Sequence, residues 1–173
     1  MARVDVERPE KLKNRELGEL CEAAAGAIDD GAGFGWITPP ERDVFERYWR
    51  GVMMVPERAL FVGRLDGVVA GSVQLVSLPL QKEAWRHGCQ IDTHFVAPWA
   101  RGHGLARALM EAAEVEARDK GFRVINLSVR NTQDVAIKLY ESLGFVRWGT
   151  NPTYAMIEGE MVPGHFYVKD LEG

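Results

Sequence analysis

The run Arg101-Gly102-His103-Gly104-Leu105-Ala106-Arg107 has the residue types of an anion cradle. It lies where a buried strand hands over to an amphipathic helix. The first turn of a helix has four N–H groups without internal partners, aimed outward at the positive end of the helix dipole. Glycines let an anion approach that backbone, because any Cβ would stand in its way. Arg101 and Arg107 add positive charge, and the spacing suits a pyrophosphate. Tyr140 follows on a second helix, where a phenol of pKa about 10 can hand a proton to a departing thiolate without first being ionised. A third group lies on the strand ahead of the turn. Strict alternation puts Gln90, Asp92, His94 and Val96 on one face and Ile91, Thr93 and Phe95 on the other. A central strand flanked by helices should be apolar on both faces. Three polar residues on one face therefore predict that it looks into a cleft, where Asp92 or His94 could take a proton from an incoming ammonium, directly or through water.

Rival phosphate sites fail on their own terms. A dinucleotide fingerprint needs a third small residue where this chain has Arg107, and a Walker-type loop needs Gly-Lys-Ser/Thr, which is absent. The second glycine cluster, Gly31-Ala32-Gly33-Phe34-Gly35, follows a helix rather than a strand and reads as a flexible loop.

The elements that must position these groups are legible from periodicity and punctuation. The pattern predicts a strand within Ala2–Glu7 and a helix over Leu12–Ile28. After a breaker-rich loop it predicts a helix capped at Thr38 that runs to about Gly51 and presents Val44, Phe45, Tyr48 and Trp49. A hairpin of Ala59–Leu65 and Val68–Leu78 turns on Asp66-Gly67, and Leu80–His87 is a connection. Then come a strand (Cys89–Val96), a helix (Gly102–Lys120, closed by Gly121), a strand (Arg123–Val129) and a helix (Gln133–Leu143, closed by Gly144) that turns Val135, Ile137 and Leu139 inward. Phe145–Trp148, Tyr154–Ile157 and His165–Leu171 finish as strands. This order calls for an α/β fold, a mixed sheet with helices on both faces, and 173 residues fit a single domain, 1–173.

Composition removes other classes. A net charge of -4 gives no whole-chain basic field for nucleic acid. No apolar run is long enough to span a bilayer, and Met1–Asp5 lacks the apolar core of a secretory signal. Cys21 and Cys89 have no metal spacing, and the four histidines do not repeat at ligand intervals, so no metal is expected. Two free buried thiols fit a reducing, cytoplasmic setting.

Taken together, the turn, helix, strand, second helix and Gly144-Phe145 resemble the GNAT superfamily of N-acetyltransferases, over about Cys89–Phe145. The resemblance implies a mostly antiparallel sheet and acetyl-CoA as co-substrate. The family's Gln/Arg-x-x-Gly-x-Gly/Ala turn aligns with Trp99-Ala100-Arg101-Gly102-His103-Gly104, with Trp99 departing from the usual first residue. The pantetheine arm would pair with Phe95 and Val96, and the Val96 N–H would face the thioester oxygen. The family's Asn-x-x-Ala, Leu-Tyr and Gly-Phe segments align with Ala136, Leu139, Tyr140, Gly144 and Phe145. Gln133 stands in for the asparagine, and Asn131 is a nearby substitute. The resemblance makes Tyr140 the general acid. The family's usual glutamate base falls at Gln90, which cannot serve, so Asp92, with His94 as the alternative, is expected instead.

The implied reaction is acetyl transfer to a primary amine of a small molecule. Phe34, Trp36, Trp85 and Tyr154 would form an apolar acceptor wall, with Glu83, Glu158 and Glu160 as attractors of a cation. Acetylation of a peptide N-terminus or lysine, and a module that senses acetyl-CoA without turnover, are the alternatives. A homodimer is common among such folds.

Overall fold

The structure is a computed structural model that describes residues 1–32, 34–78 and 81–172. Gly33 of the glycine-rich loop and Leu80 at the start of the connecting segment lie outside the described residues. Seven strands form one sheet: β1 (Val4–Glu7), β2 (Arg58–Leu65), β3 (Val68–Ser77), β4 (Gly88–Val96), β5 (Val124–Arg130), β6 (Val146–Ile157) and β7 (Glu160–Asp170). Their spatial order is β1-β2-β3-β4-β5-β7-β6, and every neighbouring pair is antiparallel except β4 and β5. The helices are α1 (Asn14–Asp29), α2 (Arg42–Met54), α3 (Leu105–Asp119) and α4 (Asp134–Ser142).

Each face of the sheet has its own core. Leu105, Leu109, Met110, Ala113 and Ala117 of α3, with Tyr140 of α4, pack on Phe61, Leu75, Ile91, Val96, Ile125, Leu127 and Val129. On the other face Leu17, Leu20, Ala24 and Ile28 of α1 and Phe45, Trp49 and Val52 of α2 pack on Leu60, Val62, Val69 and Phe95. Burial of these side chains in a close-packed interior is what holds the sheet against its helices. Cys21 and Cys89 are both buried and free, one in each core. Burial pushes the Cys21 thiol up to about 11 and the Cys89 thiol to about 12, so neither is a thiolate nucleophile near neutral pH.

The element order matches the sequence pattern, with several local departures. Thr38 does not cap α2, which begins at Arg42 with Glu41 at the N-cap, so the Thr-Pro-Pro run belongs to the loop. The helix after the cradle begins at Leu105 rather than Gly102. Both glycines hold left-handed φ, 82° and 81°, which a helix interior excludes. Val135 is exposed on α4 instead of facing inward. The segments Phe145–Trp148 and Tyr154–Ile157, read as separate strands, form one edge strand, β6, whose register slips between Arg147 and Gly149 and again between Asn151 and Ala155, and the last strand begins at Glu160 rather than His165. An edge strand tolerates Pro152 and bulges that a central strand would not.

Candidate active site

β4 and β5 pair only from Gly88–Val124 to Gln90–Asn126 and then separate. Each remains paired on its far side, β4 to β3 and β5 to β7. The sheet therefore opens into a V without losing the hydrogen bonds of either arm. A cleft of about 710 Å³ fills the V, lined by residues 90–96 of β4, Leu127–Val129 of β5, and Val135, Ala136, Leu139 and Tyr140 of α4. This volume lies within the usual range for small-molecule sites.

One residue decides which groups reach the cleft from which side. Thr93 has φ 47°, and the β3–β4 register slips beside it, from Gln74–Asp92 to Ser72–Phe95. This β-bulge adds a residue and reverses the alternation that follows it. Ile91 and Val96 both join the α3 core, whereas Phe95 joins the α1/α2 core. Asp92 and His94 consequently do not share a face, contrary to simple alternation.

On the α3/α4 side, His94 Nδ1 lies 2.9 Å from the Tyr140 hydroxyl, and Nε2 lies 3.0 Å from the Ala106 carbonyl. A carbonyl only accepts, so Nε2 carries the proton and Nδ1 accepts from the Tyr140 O–H. Both ring nitrogens are occupied, which leaves His94 none for an amine. Desolvation pushes the His94 pKa down to about 4, opposed only by its bond to Ala106, and burial raises the Tyr140 phenol above its ordinary value. Both groups are neutral over the working pH range.

This neutrality has a measurable cost in acid. The folded pKa of about 4 lies below the ordinary 6.5, so between those values the unfolded chain binds more protons. The stabilisation is complete above about pH 6.5 and is lost as pH falls toward 4, by at most about 3 kcal/mol. In His94→Gln the decline of urea stability across this window should be shallower, by up to about 1.4 kcal/mol per pH unit. Parallel wild-type and variant curves would show that His94 is not the buried neutral base described.

On the α1/α2 side, Asp92 Oδ2 accepts from Arg58 Nη1 at 2.9 Å, and its Oδ1 accepts from the Thr93 hydroxyl at 3.3 Å. Arg58 also donates to Gln74 Oε1 at 2.6 Å, and Gln74 donates to the Tyr48 hydroxyl at 3.2 Å. Asp92 nevertheless lines the cleft with a 41% exposed side chain. Ser128 and Tyr154 line the same side, their hydroxyls 2.7 Å apart.

The cradle closes the cleft at the N-terminus of α3. Ala108 is the first residue there to find a backbone acceptor, the Gly104 carbonyl at 3.0 Å, while Gly104 gives no side-chain cap. The N–H groups of Leu105, Ala106 and Arg107 precede that first bond. A Cβ at Gly102 or Gly104 would meet nothing within 4 Å, so the space over this turn is open. Arg101 forms an ion pair with Asp30, His103 is exposed, and Arg107 donates to Ser142 Oγ at 2.7 Å. Gln133 lines the cleft and donates from Nε2 to the Gly31 carbonyl at 2.7 Å, tying the α1–α2 loop across it. Asn131 is exposed and does not line it.

The four aromatics expected to form an acceptor wall divide. Phe34 lines the cleft and stacks on Phe95 at 5.0 Å. Trp36 stands behind it, packed edge-on to Tyr48 at 4.8 Å. Trp85 lies outside the main cleft, 56% exposed, beside a smaller cavity of about 210 Å³ bounded by Val76, His87 and Gln90. Glu83, Glu158 and Glu160 are exposed and do not line the cleft. Sequence reasoning missed Thr132, Ser128 and the Arg58 partner of Asp92. The last is 34 residues away, and no local pattern signals it.

Similarity to known proteins accords with this geometry. The profile of the Acetyltransferase (GNAT) family matches residues 23–145. An "Uncharacterized N-acetyltransferase in hisH-hisA intergenic region" of Azospirillum brasilense is 59% identical over 133 residues, 77% of this chain and 79% of that protein. The fold resembles an N-acetyltransferase from Staphylococcus aureus Mu50, with TM-score 0.82 at 22% identity over 98% of this chain and 99% of that one. It also resembles a phosphinothricin acetyltransferase from Sinorhizobium meliloti solved with AcCoA, with TM-score 0.79 at 18% identity over 97% and 88%. With a profile match over most of its length and a close relative across more than two thirds of it, the chain belongs to the GNAT family of acetyltransferases.

Proposed function

We propose that the protein transfers the acetyl group of acetyl-CoA to a primary amine of a small molecule by direct attack on the thioester. The observation that carries this reading is the V between β4 and β5, with an anion cradle at its end and a buried, protonated phenol on its wall. The open helix N-terminus receives the pyrophosphate, with Arg101 adding charge once it exchanges Asp30 for phosphate. Gly102, His103 and Gly104 shape the turn, while Leu105, Ala106 and Arg107 present its N–H groups. Gln133 and Ala136 border the arm of the cofactor, with Asn131 just outside. The edge of β4 at Phe95 and Val96 pairs with the pantetheine, and the Val96 N–H meets the developing oxyanion.

The acceptor enters from the α1/α2 side. Asp92 attracts its ammonium and takes the proton through water, since Arg58 and Thr93 already hold both carboxylate oxygens. The free amine attacks the carbonyl and forms the C–N bond, the C–S bond breaks, the nitrogen releases its surplus proton to the same water, and the sulfur leaves as thiolate beside Tyr140. The Tyr140 proton, resting on His94, turns to the sulfur because an anionic acceptor is stronger than a neutral imidazole. The same burial that keeps the phenol protonated makes its complete transfer costly, so its main contribution is to stabilise charge building on sulfur. His94 holds Tyr140 in place. Holding both substrates in one cleft makes the attack intramolecular in effect. Phe34 and Tyr154 border the acceptor, and the buried thiols fit a cytoplasmic enzyme.

Free-thiol release from acetyl-CoA against a panel of small primary amines, with calorimetry of CoA, tests this reading. Turnover with one class of amine and CoA binding are expected. CoA binding with no turnover would favour a sensor, and absence of CoA binding would overturn the cradle.

A further inference from the structure

Arg130 ends β5 and has no role in the reaction as described. Ile125, Leu127 and Val129 of β5 face the α3 core, so alternation puts Asn126, Ser128 and Arg130 on the acceptor side. Arg130 is 6% exposed, yet among the described residues no hydrogen bond or ion pair engages its guanidinium. An arginine so deeply buried normally has a partner, because a guanidinium removed from water without one is costly. The five N–H donors of Arg130 are also not sealed off. Among the described residues only Trp49 Nε1 is both fully enclosed and unpartnered, so the nitrogens of Arg130 retain access to solvent.

Arg130 itself does not line the cleft, but the residues around it do. Gly164 is the register partner of Arg130 across the β5–β7 ladder. The Tyr154 ring lies over Gly164, 2.1 Å from where a Cβ would stand, and its hydroxyl reaches Ser128. Tyr154 thus spans the strand pair beside Arg130 and lines the cleft, as do Ser128 and Thr132 on either side of Arg130 in the chain. The cofactor cradle and Tyr140 belong to the opposite, α3/α4 side of the sheet. Asp92, an acidic group on the acceptor side, is already held by Arg58.

We infer that the acceptor carries a carboxylate as well as its amine, and that Arg130 pairs with that carboxylate when the acceptor binds. This rests on the acetyl-transfer reading above and names the substrate class for it. A planar guanidinium suits a bidentate carboxylate, and the pair would form in a site already poor in water. Arg130 then selects amino acids over plain amines.

The test compares amino acids with their carboxamides, their methyl esters and the corresponding decarboxylated amines. Wild-type thiol release is measured at saturating acetyl-CoA, with rates referred to free amine. Removing the carboxylate charge should lower kcat/KM about 10- to 100-fold. In Arg130→Gln the acid should fall by a similar factor while the carboxamide barely changes, and acetyl-CoA affinity by calorimetry should stay at the wild-type value. Equal wild-type turnover of acid and carboxamide overturns the inference, and this arm holds even if the variant does not fold. Weakened acetyl-CoA binding in a folded Arg130→Gln also overturns it, by assigning the anion to a phosphate of the cofactor. Loss of the broader reading is separately visible, as wild-type protein that does not bind acetyl-CoA.

Discussion

Tyr140→Phe should lower kcat for acetyl transfer by about 100- to 1000-fold while moving the acetyl-CoA dissociation constant less than about threefold. The side chain is 5% exposed and sits in the core between α4 and the cleft, so phenylalanine fills the same volume. Only the hydroxyl is lost. In the resting protein that hydroxyl donates to His94 Nδ1 at 2.9 Å, and its removal leaves one acceptor unpaired. The cost in stability is about 1–2 kcal/mol, or roughly 3–6 °C in Tm. Assays well below Tm therefore separate chemistry from folding. The ground-state complex does not depend on the hydroxyl, which is why affinity should hold. The transition state places negative charge on sulfur, and there the loss is felt. An acetyl thioester whose thiol is more acidic needs less stabilisation and should be less sensitive to the substitution. Wild-type turnover in Tyr140→Phe would remove Tyr140 from the mechanism. An equal loss for every leaving group would reduce it to a packing residue.

The contrast between Tyr140 and His94 shows what the sequence can and cannot reveal. Tyr140 sits two residues before Ser142, where the helix ends, and the Phe145 N–H closes the cap on its carbonyl at 3.1 Å. Cap and periodicity are local, so its place was legible. His94 follows Thr93, and nothing in Asp-Thr-His-Phe announces a positive φ at a β-branched residue. Alternation counts residues, and a bulge changes the count. The predicted polar face was therefore split across the sheet, with Asp92 toward Arg58 and His94 toward Tyr140. The V has the same character. Both arms read as ordinary strands, and their separation beyond Gln90 and Asn126 is a property of pairing rather than of either segment. Long-range partners such as Arg58 and Gly164, which give Asp92 and Arg130 their settings, become visible only when the sheet is assembled.

The cradle makes the other large prediction, because its parts are backbone. Gly104 has φ 81° and lies one residue before α3, and a Cβ there would meet nothing within 4 Å, so a side chain would enter the open space at the helix start. Two effects of substitution can be told apart. Any L-residue at this φ costs about 1–2 kcal/mol of strain, roughly 3–6 °C in Tm. Gly104→Ala bears that strain but leaves most of the space clear, so acetyl-CoA affinity should fall only a few fold. Gly104→Trp bears similar strain and fills the space, so affinity should fall by at least about 100-fold. That factor corresponds to about 2.7 kcal/mol, a modest share of what several charge-assisted hydrogen bonds to a pyrophosphate provide. Calorimetry of both variants beside their melting curves decides the matter. Equal Tm losses with a large gap in affinity locate the phosphates over the α3 N-terminus. Equal affinities would mean that this turn is only a strand-to-helix connection, and that Arg101, freed from Asp30, binds the anion by side-chain charge alone. In that case Arg101→Gln should remove most of the affinity, whereas a backbone cradle would keep most of it.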